Sequence, residues 1–119
     1  MKYILSALVV FFLASCKDPS SIVIENNLSK AIILNAEWGG EPIAAQLIPG
    51  ESSDKIEFDF YSGFDFPESY AISFYLMVNG DMVYLETKEP VTIGEEENVV
   101  FSINDSTKVY NPLLLYEEQ

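Results

Sequence analysis

The stretch YAISFYLMVNGDMVYLET, residues 70–87, decides the fold class of this chain. At its centre, Asn79-Gly80 suits the two-residue turn of a β-hairpin, because both central residues of a type I′ turn need positive φ. Aromatic and β-branched residues, which favour strands, dominate the segments on either side. We therefore predict two antiparallel strands joined by a type I′ turn.

The register of this hairpin divides its side chains between two faces. The turn places Met77 opposite Met82 and Tyr75 opposite Tyr84 on one face. The other face carries the apolar pairs Leu76 with Val83 and Phe74 with Leu85. Only one face of a strand pair can point into a two-layer core. The Tyr and Met side is our candidate partner surface, since these residue types are enriched in interface cores. Core packing beneath the C-terminal NPLLLYEEQ segment is the alternative.

The same period of two recurs through most of the chain. In IEFDF, residues 56–60, the apolar side chains share one face and the acids the other, and VVFSI at 99–103 repeats the pattern. The β-branched runs SIVIEN (21–26) and AIILNAEW (31–38) are separated by NLSK, which predicts a first hairpin. In the second run, four residues are expected to share a face: Ile32, Leu34, Ala36 and Trp38.

These short strands predict an all-β fold. Segments rich in turn residues separate them, and nothing after residue 16 shows a sustained helical stripe. The spacing is typical of a small antiparallel β-sandwich of about seven or eight strands, with immunoglobulin-like architecture. A small β-barrel is the alternative.

The composition excludes several classes of function. The chain of 119 residues carries a net charge of −13 and contains neither histidine nor arginine. Such a charge repels a phosphate backbone, so we expect no nucleic-acid partner. Without histidine the most common proton carrier near neutral pH is missing. We therefore expect a protein that is not an enzyme and has no catalytic residues or organic cofactor.

The N-terminus carries the most specific motif. A short basic start precedes the apolar run 3–13, which has signal-peptide length and is too short to span a bilayer comfortably. Leu13-Ala14-Ser15-Cys16 follows, and it resembles the lipobox of bacterial lipoproteins. The resemblance implies cleavage before Cys16 and lipidation of its sulfur. It also implies a signal peptide over residues 1–15, a lipidated spacer over 16–21 and a single domain over 22–119.

The residues after Cys16 indicate the membrane to which such a lipoprotein would be sorted. Lys17 stands where an inner-membrane retention signal would have Asp, so the resemblance implies a lipid anchor in the outer membrane. The Cys-Lys-Asp start is also similar to the surface-export signal of Bacteroidetes lipoproteins, although Pro19 replaces its second acid. The periplasmic face and the cell surface both stay open as locations.

Two sets of residues are candidates for ligand binding. Loop-borne aromatics could stack on sugar rings, or instead plug the end of a sandwich; these are Trp38, Tyr61, Phe64 and Phe66. Carboxylates with loop carbonyls could hold calcium, an oxygen-seeking ion, and the candidates are Asp59, Asp65 and Glu68. The alternative for the acids is a solvated turn.

The leading functional hypothesis is a non-enzymatic, lipid-anchored envelope protein that acts as an interaction or accessory module. One alternative is a carbohydrate-binding module, assisted by calcium. Another is a protein inhibitor that presents the loop GFDFPES, residues 63–69. The partner is accordingly expected to be a protein or a glycan.

Overall fold

The computed structural model describes residues 18–59 and 62–113. Ten strands lie in this part of the chain. They are β1 (Ser20–Asn26), β2 (Ile32–Trp38), β3 (Glu41–Leu47), β4 (Ile56–Phe58), β5 (Glu68–Tyr70), β6 (Ile72–Val78), β7 (Asp81–Thr87), β8 (Val91–Ile93), β9 (Asn98–Ile103) and β10 (Val109–Tyr110).

Two packed sheets form a small β-sandwich. One has five strands in the order β10-β7-β6-β2-β3, the other has three in the order β4-β1-β9, and β5 pairs with β8 in a separate ribbon. Among the described strands neither large sheet closes on itself, so the barrel alternative is wrong. The sandwich is not wholly antiparallel, because β1 and β9 run parallel.

The predicted hairpin in residues 70–87 is confirmed, and all four predicted cross-strand pairs are present. Asn79 and Gly80 have φ values of 52° and 85°, as a type I′ turn requires. Tyr75 lies opposite Tyr84 and Met77 opposite Met82. The side of the hairpin that carries Phe74, which is only 1% exposed, faces the core.

The predicted hairpin between β1 and β2 is wrong, because the two strands belong to different sheets. Asn26 directs the crossover at the end of β1. Its buried side-chain amide donates to the carbonyl oxygens of Ala31 (2.9 Å) and Leu47 (2.8 Å), and its Oδ1 accepts from the Leu28 N–H (2.9 Å). These bonds turn the chain away from β1 and fix it against the start of β2 and the end of β3.

The predicted inward face of β2 is wrong, because a β-bulge interrupts the alternation of its side chains. Its register with both neighbouring strands shifts just before Glu37, and Asn35 has a φ of 49°. Asparagine tolerates this left-handed conformation better than most residues. The extra residue resets the alternation, so Ile33 is the fully buried residue near the start of β2, while Ile32 and Leu34 are half-buried on the opposite side.

The first strand, β1, begins at Ser20, inside the span 16–21 that the sequence analysis assigns to the spacer. Ser20 and Ser21 are buried residues of β1, paired with Phe58 and Glu57 of β4. The Ser20 hydroxyl donates to the Gly94 carbonyl oxygen over 2.7 Å. Because these two small side chains pack under the β8–β9 turn, they are part of the folded domain.

Candidate functional site

A five-ring aromatic cluster fills one end of the sandwich. Trp38 at its centre is 0% exposed, and its indole N–H donates to the Val91 carbonyl oxygen over 2.9 Å. Four rings lie around the indole, with centroid separations of 5.4 Å for Phe58, 5.2 Å for Phe64, 6.2 Å for Phe66 and 5.1 Å for Tyr70.

Three of the four predicted sugar-stacking residues belong to this cluster: Trp38, Phe64 and Phe66. Trp38 has no exposed ring face on which a sugar could stack. Phe64 and Phe66 are half-buried and pack on the indole, the latter nearly parallel to it at 7°. They plug the end of the sandwich, as the alternative interpretation of these residues expects. Tyr61 lies outside the described residues.

An open groove of about 750 Å³ lies beside the cluster, and its base is aromatic. Phe58, Phe64 and Phe66 line it. Phe58 is 4% exposed, so the base belongs to the packed core. Contacts with Trp38 hold all three rings in place.

Carboxylates form the rim of this groove. Six line it, and all six residues are exposed: Asp18, Glu57, Asp59, Asp65, Glu95 and Glu96. They come from four separate segments of the chain. No lysine occurs among the described lining residues.

The structure does not bring the three calcium candidates together into one cluster. In residues 18–59 and 62–113, no group of three or more aspartate, glutamate or cysteine side chains is placed to hold a metal ion. Asp59 and Asp65 line the groove, whereas Glu68 does not. A Glu68 carboxylate oxygen instead accepts from the Asp65 backbone N–H over 3.2 Å, and a hydrogen bond from the Tyr70 hydroxyl to Glu68 raises the Tyr70 pKa.

The candidate partner surface is the outer face of the five-stranded sheet. Cross-strand pairing aligns two apolar rows on β2, β6 and β7. We call this surface the Tyr/Met face, and its rows are Leu34-Tyr75-Tyr84 and Ile32-Met77-Met82. Met82 is 56% exposed and Tyr75 is 36% exposed. The Tyr75 and Tyr84 rings contact each other, with centroids 5.2 Å apart.

One carboxylate lies at the edge of the Tyr/Met face. Glu86 accepts hydrogen bonds from the hydroxyls of Tyr84 (2.9 Å) and Tyr110 (3.2 Å). Burial, followed by the hydrogen bond to Glu86, raises the pKa of Tyr84 above its ordinary value of 10.0. The pKa of Tyr110 is raised mainly by the Glu86 charge. Both hydroxyls therefore stay protonated to higher pH than usual.

Sequence reasoning found only part of the groove. It singled out Phe64, Phe66, Asp59 and Asp65, although for other ligands. The remaining rim carboxylates could not be placed beside them, because they meet only through the packing of β1, β4 and the β8–β9 turn. The exposed acids of the IEFDF strand and the run Glu95-Glu96-Glu97 were the available signals.

Comparison with protein-family models, curated proteins and solved structures finds no match for the chain. In the described part of the chain there is no helix that could span a membrane. Cys16 lies outside that part.

The aromatic cluster predicts unequal effects for two adjacent glycine substitutions. Gly39 and Gly40 both have positive φ, at 59° and 81°, so alanine at either position costs about 1 kcal/mol of backbone strain. A Cβ on Gly39 would lie 2.8 Å from a Tyr70 ring carbon, whereas Gly40 has nothing within 4 Å. We expect Gly39→Ala to lower the free energy of unfolding by roughly 1–3 kcal/mol more than Gly40→Ala does. Urea unfolding followed by Trp38 fluorescence measures both, and equal losses would contradict this packing.

The Tyr/Met face predicts a pH dependence. Since folding raises the pKa of Tyr84 and Tyr110, their contribution to stability is complete below their unfolded pKa of about 10 and is lost as pH rises through the folded pKa. Replacing Glu86 by Gln should shift part of the tyrosine ionisation to lower pH. It should also reduce the loss of stability at alkaline pH that these tyrosines cause. Absorbance titration of the phenolates, with Glu89→Gln as control, provides the measurement. Identical titration curves for Glu86→Gln and the control would contradict the arrangement.

Proposed function

We propose that this protein is a lipid-anchored, non-enzymatic interaction module of a bacterial cell envelope, and that it binds a partner protein through the Tyr/Met face. The support for the anchor is the lipobox-like sequence at residues 13–16. Two or three acyl chains on Cys16 would give stable attachment, where a single chain is marginal. A tethered domain meets membrane partners at a raised effective concentration.

The exposed Tyr/Met face is the observation that carries the binding role. Its six side chains lie in two adjacent rows across three strands, with Tyr75 and Met82 exposed and the other four half-buried. The hairpin turn beside them has the positive φ values of a type I′ turn. Contiguous exposed apolar surface on a small domain marks sites of interaction. Tyrosine and methionine supply large contact area, and methionine adapts its shape to a partner.

Charge defines the chemistry of the partner. Glu86 borders the face, Asp81 lies at its hairpin end, and the chain as a whole carries −13. The complementary surface is an apolar patch with basic residues around it. Such a charge pattern also keeps the domain away from anionic lipid headgroups.

Two alternatives have weaker support. The carbohydrate-binding hypothesis depends on stacking platforms, and Trp38 is enclosed by other rings. The inhibitor hypothesis needs a projecting loop, but Phe64 and Phe66 of that loop pack inward on Trp38.

Site-specific photo-crosslinking in cells tests both parts of the proposal. A crosslinking amino acid at position 82 of the full-length chain should give a discrete product in the membrane fraction. The matched control is position 100 on β9, because Val100 is 60% exposed and lies in the other sheet. Adding Tyr75→Ser should reduce the product at position 82 severalfold.

The Cys16→Ala variant separates the anchor from the face. We expect it to leave the membrane fraction while its thermal unfolding temperature is unchanged. Retention in the membrane would contradict lipid anchoring. Products that are equal at positions 82 and 100, or absent at both, would contradict binding through the Tyr/Met face.

A further inference from the structure

The groove beside the aromatic cluster and the Tyr/Met face lie at different places in the domain. The groove lies at the Trp38 end of the sandwich, where Trp38 pairs with Ile72 at the start of β6. The Tyr/Met face occupies the other end of that strand, around Met77.

We propose that this groove binds an extended segment of a partner protein that carries several lysine or arginine side chains. Its base is apolar and preformed, since three phenylalanine rings are held by Trp38. A volume of about 750 Å³ lies within the range of ligand pockets and accommodates more than one side chain. The inference goes beyond the proposed function and does not require the Tyr/Met face.

The chemistry of the base suits the stems of basic side chains. Lysine and arginine place their methylene stems on apolar surface and keep the charged head in water. Phenylalanine faces also attract the cation directly through the negative charge of the ring face. Phe64 and Phe66 are half-buried, so each leaves part of its ring accessible from the groove.

The distribution of the carboxylates indicates an extended cation. Six of them are spread around the rim on four chain segments. In the described residues they do not converge into a group that could hold a single metal ion. Separated carboxylates match separated ammonium or guanidinium groups along a peptide, and each such contact is a charge-assisted hydrogen bond.

The position of the groove fits a partner at the membrane. Asp18 belongs to the rim, and it stands two residues after Cys16 in the sequence. If Cys16 is lipidated, the rim is held near the bilayer surface. A basic segment that emerges from a membrane protein would then reach the groove without crossing the domain.

Titration of the purified full-length protein with octalysine tests the proposal. Trp38, the single tryptophan of the chain, contacts all three rings of the base and reports on the groove by fluorescence. The backbone amide resonances of residues 57–59 and 94–97 give an independent readout. We expect saturable changes with octalysine, and none with a fully acetylated octalysine. Spermine and calcium, at equal charge concentration, should bind more weakly.

Charge-neutral variants localise the binding. Glu57→Gln combined with Glu96→Gln removes two rim charges and should weaken octalysine binding roughly fivefold, because each exposed ion pair contributes only modestly. Asp105→Asn combined with Asp81→Asn removes the same charge at two exposed positions that do not line the groove, and the dissociation constant of that variant should change less than about twofold. Phe64→Leu keeps the base apolar and should weaken binding about threefold.

Four outcomes would overturn the proposal. They are no change in either readout with octalysine, equal weakening in both double variants, tighter binding of calcium than of octalysine, and tighter binding of spermine than of octalysine. The last result would assign the groove to a small free polycation rather than to a peptide. Circular dichroism of each variant shows whether it is folded, and the conservative acid-to-amide changes keep the test valid if Phe64→Leu unfolds.

Discussion

The burial of Trp38 is the interaction on which the rest of this domain depends. A buried indole is stable only if its N–H finds an acceptor, and the Val91 carbonyl oxygen supplies one. That bond connects β2 of the large sheet to β8, which lies outside both large sheets. The four neighbouring rings then close the end of the sandwich.

Asn26 provides the second polar connection inside the molecule. Its side chain ties the end of β1 in the small sheet to backbone groups beside β2 and at the end of β3. Every buried side-chain nitrogen or oxygen atom in the described residues has a hydrogen-bond partner. Leaving such a group unpaired costs about 1–3 kcal/mol, so full pairing makes the sheet-to-sheet crossover specific. The sandwich is thus held by a large apolar core and a few buried polar contacts.

Local signals in the sequence were sufficient for part of this structure. The Asn79-Gly80 turn and the alternation around it define the register of β6 and β7, because turn geometry and side-chain period act over a few residues. The pairing of β1 could not be predicted in the same way. Its partners are β4 and β9, and the parallel ladder with β9 joins residues such as Ser21 and Asn98 that are far apart in the chain.

The candidate sites could be predicted only in part, because they too depend on contacts between residues far apart in the chain. The outward position of Tyr75 and Met82 follows from the hairpin register and the inward position of Phe74. The bulge at Asn35 depends on contacts with β3 and β6 that no local pattern encodes. The groove combines residues from four segments, so only the complete packing brings Asp18 and Glu95 beside Phe58.

The two proposals assign different roles to the two surfaces. In them the Tyr/Met face would supply apolar contact area, and the groove would select basic side chains. Both depend on rigid support from the core, since the face lies on paired strands and the base of the groove lies on Trp38. A loosely packed Trp38 end would leave the groove without a defined shape.

The most direct test of this account is the hydrogen-exchange rate of the Trp38 indole N–H, measured by NMR together with its ring contacts. The account predicts slow exchange, limited by unfolding of the domain, and nuclear Overhauser contacts from the indole to the rings of Phe58, Phe64 and Tyr70. Exchange at the rate of a solvent-exposed indole, or the absence of those contacts, would contradict it.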